Sequence, residues 1–94
     1  MPLTSPNAQA RTRIKICGLR EEEHVDAAVA AGADAIGFVL YPPSARAIAL
    51  DHCATLTRRV PAFVSTVALF VDPTRDEVET ALATARIDLL QFHG

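Results

Sequence analysis

Cys17 is the residue best placed to do chemistry. It follows Ile14 and Ile16, which alternate with Lys15 in the period-two pattern of a short strand, and Gly18 breaks that pattern at once. A thiol is therefore expected at the carboxyl end of a strand, just before a turn into a helix. In parallel α/β sheets that edge is where ligands bind. A free thiol is only slightly ionised at neutral pH. Such a group serves as a nucleophile or a base. In an apolar strand a cysteine is more often a small buried hydrophobe, so the residues alone leave both readings open.

Arg46 is the second candidate. It closes a loop that contains Pro42 and Pro43, and its planar fork suits a bidentate carboxylate or phosphate. A solvated loop arginine is the plainer alternative. Gln91 and His93 lie at the end of the last expected strand, where His93 either orients a substrate or makes a structural hydrogen bond. Asp72 precedes Pro73 and reads as a turn residue before it reads as a polar liner of a site. His24 and His52 fall on helices and are expected to be solvated or half-buried, and Cys53 falls on an inward helical stripe. No paired carboxylates, nucleophilic triad, glycine-rich phosphate loop or metal-ligand spacing is present.

Four strands and three helices must position these groups. Strands are expected over residues 12–17, 35–40, 66–71 and 88–92, and helices over 21–31 and 50–59. A third helix begins at a capping box of Thr74 and Glu77, and its apolar stripe is Val78, Ala81, Leu82 and Ala85. Gly32 stands where a C′ residue would end the first helix. An internal echo runs through the chain: Asp34 and Asp88 each precede a strand that follows a helix. Alternating units with short links mean parallel strands and right-handed crossovers. Four such strands make a small open sheet or half of a closed barrel, and the pattern does not choose between them.

Composition narrows the class. Ninety-four residues, half of them hydrophobic, suit one small domain. The net charge is −2, and Arg58 and Arg59 are the only adjacent basic pair, which argues against nucleic acid. No apolar run is long enough to span a membrane. The two cysteines read as reduced thiols of a cytosolic protein. Residues 1–12 form a polar leader with two prolines and no apolar segment, expected to be flexible.

Four stretches, in order, resemble one family. Lys15, Ile16, Cys17 and Gly18 after an apolar start resemble the first strand of the phosphoribosylanthranilate isomerases, (β/α)8-barrel enzymes of tryptophan biosynthesis. Residues 37–46 resemble the second signature, with Ala45 where the family often has proline or lysine. Residues 67–72 resemble the third strand. Residues 90–94 resemble the fourth, with Phe92 in place of the commoner leucine.

The resemblance implies an α/β fold of the TIM-barrel family with only the first four strands and three helices present. Residues 13–94 would then be the N-terminal half of the barrel. It implies an aldose–ketose isomerase that needs no cofactor or metal and carries out the Amadori rearrangement of N-(5-phosphoribosyl)anthranilate. Cys17 inherits the role of general base, Arg46 holds the anthranilate carboxylate, and Gln91 and His93 line the mouth as substrate contacts. The family's general acid is an aspartate of its second half, and its phosphate site lies at strands seven and eight, so the 94 residues are expected to be inactive alone. The expected partners are the small-molecule substrate and either the C-terminal half or a second copy met through open strand edges. A different class of reading is a non-catalytic half-barrel module that binds a small anion around Arg46. A third, another phosphate-binding barrel enzyme of the same pathway, fits the thiol and the Pro-Pro-Ser-Ala-Arg loop less well.

Overall fold

The computed structural model describes residues 11–94, so the expected leader over 1–12 lies outside the described residues except for its last two. The elements are β1 (Lys15–Cys17), α1 (Glu22–Ala30), β2 (Ala35–Val39), α2 (Leu50–Thr57), β3 (Ser65–Val71), α3 (Arg75–Thr84) and β4 (Leu89–His93). All four strands are parallel neighbours in the order β1-β2-β3-β4. This is the arrangement expected of the first four strands and three helices of a (β/α)8 barrel.

The observed limits differ from the expected ones for physical reasons. β1 begins at Lys15, because its ladder starts opposite Ala35, the first residue of β2. β4 begins at Leu89 and extends to His93, since the backbone and carboxylate of Asp88 are engaged by Thr66. α2 stops at Thr57, short of the arginine pair. The capping box of α3 forms as expected, with Thr74 Oγ1 accepting from the Glu77 amide at 3.1 Å and Glu77 Oε1 accepting from the Thr74 amide at 2.7 Å.

Alternation along the strands sorts the side chains onto two faces. Ile36 and Phe38 are fully buried against Val25, Cys53, Ala54 and Leu56 of the helices. Ala68 and Phe70 pack with Ala81, and Phe92 stacks on Phe70 at a centroid distance of 6.2 Å. The other face therefore carries Lys15, Cys17, Gly37, Val39, Val67, Leu69, Leu89, Gln91 and His93. One expectation fails here. Leu82 belongs to the apolar stripe of α3 yet is 47% exposed, because it sits on a flank that no other described element covers. Ile16, Leu89, Leu90 and Phe92 are exposed as well, along β1 and β4, which pair on one side only among the described residues, and so is Ile14 just before β1.

The second face is concave. Lys15 Nζ of β1 donates to Gln91 Oε1 of β4. By register Lys15 is level with Ser65, and Gln91 is level with Leu69, four residues further along. In a flat sheet these positions would lie about 14 Å apart across the strands and about 13 Å apart along them. The two side chains meet because the sheet twists and curls, as barrel strands must.

The repeated aspartate is a repeated brace at the amino ends of the strands. Asp34 Oδ2 accepts from the Ile14 amide at 2.8 Å while the Asp34 amide donates to Ile14 O at 2.9 Å. Asp88 repeats this with Thr66, at 2.9 Å in both directions. Arg86 adds hydrogen bonds to Val60 O and Val64 O, both 3.0 Å. Among the described residues no helix is long and apolar enough to cross a membrane.

The brace makes stability acid-sensitive. Hydrogen bonding by the Arg11 guanidinium and then by the Ile14 amide holds the Asp34 carboxyl down at about 2, below its ordinary 3.8. A carboxyl depressed on folding stabilises the native state above its unfolded pKa, and that contribution fades as pH falls through its folded pKa. Urea midpoints of the wild-type chain should therefore fall more steeply between about pH 4 and pH 2 than those of Asp34→Asn. Parallel profiles for the two chains would remove Asp34 as a source of acid lability.

Candidate active site

The carboxyl edge of the sheet gathers the sequence-derived candidates in two groups. Cys17 ends β1, and its register partner is Gly37. A Cβ at Gly37 would come within 2.9 Å of Cys17 Sγ, so the thiol lies on the concave face, over a position only glycine leaves open. Cys53 is fully buried in the helix-side core, and burial pushes its thiol up to about 11. Of the two cysteines, only Cys17 is partly accessible.

Arg46 is delivered to Cys17 by a folded-back loop. The Ser44 amide donates to Tyr41 O at 3.0 Å, Ser44 Oγ accepts from the Arg46 amide at 3.1 Å, and Ile48 N returns to Val39 O at 3.0 Å. Arg46 Nη1 then donates to Cys17 O at 3.2 Å. Gly18 makes room. Its φ is +84°, and a Cβ there would stand 2.8 Å from Arg46 Cδ and Nε. Among the described residues Arg46 pairs with no carboxylate, and its Nε and Nη2 edge makes no hydrogen bond. A guanidinium held through one nitrogen still presents a two-donor edge of the kind that takes a carboxylate.

Two further side chains hold this loop pair together, and sequence reasoning missed both roles. Arg20 Nη1 donates to Ala45 O at 2.7 Å, and His52 Nε2 lies 2.7 Å from Arg20 O. A backbone carbonyl only accepts, so His52 carries a proton on Nε2. His52 thus has a specific partner as well as the solvated helical position expected of it. Nothing in the local pattern around Arg20 signals its contact, because the two partners are 25 residues apart.

Gln91 and His93 form the second group on the same concave face. Gln91 Nε2 lies 2.9 Å from His93 Nε2, and Lys15 reaches Gln91 from the opposite edge. Lys15 was read only as the polar spacer in a short strand, although its parity with Cys17 places it on this face. Asp72 adopts φ 44° with its carboxylate against Gly94, and its amide faces His93 O at 3.4 Å, in keeping with a turn residue. His24 is exposed. Among the described residues there is no cluster able to hold a metal ion.

The family model for N-(5'phosphoribosyl)anthranilate (PRA) isomerase matches residues 14–94. The chain is 57% identical over 84 residues to the N-(5'-phosphoribosyl)anthranilate isomerase of Dechloromonas aromatica, an alignment covering 89% of this chain and 40% of that protein. It is 56% identical over 92 residues to the enzyme of the same name from Chromohalobacter salexigens, covering 98% and 42% respectively. Among solved structures, it is similar to a phosphoribosyl anthranilate isomerase in complex with reduced 1-(o-carboxyphenylamino)-1-deoxyribulose 5-phosphate. That match has a TM-score of 0.86 and 33% identity, over 89% of this chain and 43% of the other. The chain thus spans about two fifths of the length of the relatives it matches.

Gly18 is the local feature on which the Arg46 placement turns. Gly18→Ala should displace the guanidinium from Cys17 O, because the flexible arginine moves more readily than backbone. The left-handed φ should add about 1–2 kcal/mol of destabilisation. A crystal structure of the variant and its urea midpoint test this. An unmoved Arg46 in a variant as stable as wild type would contradict it.

Proposed function

The chain belongs to the N-(5'-phosphoribosyl)anthranilate isomerase family, and on that premise we propose that it supplies the base and the carboxylate-holding arginine of an isomerase site. The observation that carries the proposal is the Arg46 Nη1 bond to Cys17 O, which puts a guanidinium with an open two-donor edge beside the strand end that bears the thiol. The product analogue bound by the structural neighbour combines an aryl carboxylate with a sugar phosphate. A ligand of that kind would set its carboxylate against Arg46 and its sugar carbons toward Cys17.

In the rearrangement, an acid protonates the ribose ring oxygen of N-(5-phosphoribosyl)anthranilate, and the ring opens to a Schiff base. Cys17, as thiolate, removes the proton from C2, and the electron pair moves toward the nitrogen to give an enolamine. Tautomerisation of the enolamine gives the ketone. The carboxylate clamp keeps the aryl amine in place while C2 stays within reach of the sulfur. Gln91 and His93 contact the substrate from the far side of the concave face. The acid and the phosphate site would come from the C-terminal half of the barrel, which would cover the open edges of β1 and β4. By itself the 94-residue chain is inactive on this reading.

A separately made C-terminal half of a homologous barrel tests it. Turnover of phosphoribosylanthranilate should require both pieces. Cys17→Ala should lower kcat by about a hundredfold or more with unchanged circular dichroism. Arg46→Met should lower kcat/KM by roughly ten- to a hundredfold, the loss expected for a hydrogen bond to a charged group. Turnover by the chain alone would overturn the inactivity, and full activity of Cys17→Ala would remove its role as base. The open Arg46 edge also favours a second reading, a non-catalytic anion-binding module. Assembled, folded halves without turnover would put that reading first.

A further inference from the structure

Among the described residues the concave face carries one cation that the proposed reaction does not use, Lys15, and through Gln91 its contact reaches the His93 ring. We propose that Lys15, acting through Gln91, is a positioning residue that fixes His93 as the neutral tautomer with its proton on Nδ1, so that His93 offers the substrate a hydrogen-bond donor and not a basic nitrogen. The part that concerns substrate rests on the reading of His93 as a mouth-lining contact. The tautomer itself rests on geometry alone.

The argument is a chain of donor and acceptor types. A lysine ammonium has three donors and no acceptor, so only the oxygen of the Gln91 amide can face it. Lys15 does meet Gln91 Oε1. The amide is then oriented, and its NH2 points at His93 Nε2, 2.9 Å away. Both protons of that group are donors, so Nε2 must present its lone pair. A neutral imidazole with a bare Nε2 carries its proton on Nδ1. Among the described residues Nδ1 makes no hydrogen bond. Its N–H is available to an acceptor oxygen, such as a sugar hydroxyl or carboxylate. Gln91 and His93 are two residues apart on one strand and share a face, so the relay needs no loop to order it. The Lys15 ammonium has no carboxylate partner among the described residues, and Gln91 is the one hydrogen-bonded partner of that ammonium there.

Nitrogen-15 spectra of the imidazole rings of the 94-residue chain test this directly. They are recorded at about pH 8, above the ordinary histidine range. In wild type, His93 should show a proton-bearing Nδ1 and a bare Nε2. Lys15→Met frees the Gln91 amide to flip, and the Nε2–H form of His93 should appear. Lys15→Arg keeps an all-donor partner and should retain the wild-type pattern. Gln91→Glu replaces the NH2 by an acceptor and should move the proton to Nε2. His24, exposed on α1, serves as the reference ring and should not change. A wild-type His93 protonated on Nε2, or a pattern unaltered in both Lys15→Met and Gln91→Glu, would overturn the relay. The substrate half is judged separately in the barrel completed by the C-terminal half. There His93→Phe should raise KM at least fivefold, and an unchanged KM would overturn the donor role while leaving the tautomer assignment standing.

Discussion

The curl of the parallel sheet is the constraint on which the site depends. Without it, Lys15 and Gln91 would be separated by three strand spacings and a four-residue stagger. With it, one face becomes a concave wall that carries Cys17, Gln91 and His93 together. The convex face holds Ile36, Phe38 and Phe70 against the helices. On the concave face Gly37 leaves Cys17 its room, since even a methyl group there would press on the sulfur.

The two ends of the strands are held by different devices with different purposes. At the amino ends, Asp34 and Asp88 each tie a helix-to-strand turn to the preceding strand by paired hydrogen bonds, and Arg86 fastens the loop before β3. This is bracing, and it sits where barrel proteins place stability. At the carboxyl ends, the ties run between loops. Arg46 reaches Cys17 O, Arg20 reaches Ala45 O, and the His52 ring reaches Arg20 O. These bonds hold a cation on the backbone carbonyl of Cys17 while leaving the outer edge of that cation open. The separation lets the ligand-facing end vary without loosening the fold.

Much of this was legible from local pattern. The strand that ends at Cys17, the capping box at Thr74 and the inward stripe of α2 depend on near neighbours, and all three appear in the structure. The aspartate echo was visible as a repeat, though its meaning was not, because each carboxylate acts on a backbone amide 20 or 22 residues away. Roles that depend on closure across the sheet were out of reach. Lys15 looked like a polar spacer because its partner lies 76 residues on. Leu82 looked buried because periodicity marks a face and does not say whether a neighbour covers it. The choice between an open sheet and half a barrel likewise rests on curvature, which hydrophobic pattern does not encode.

The measurement that bears most directly on the curled sheet is the nuclear Overhauser contact between the Lys15 ε-methylene protons and the side-chain amide of Gln91. The account predicts that cross-peak together with the ladder contacts of the parallel register from β1 to β4. Ladder contacts without the Lys15–Gln91 cross-peak would mean a sheet too flat to bring its edges together. The concave site would then not exist as described.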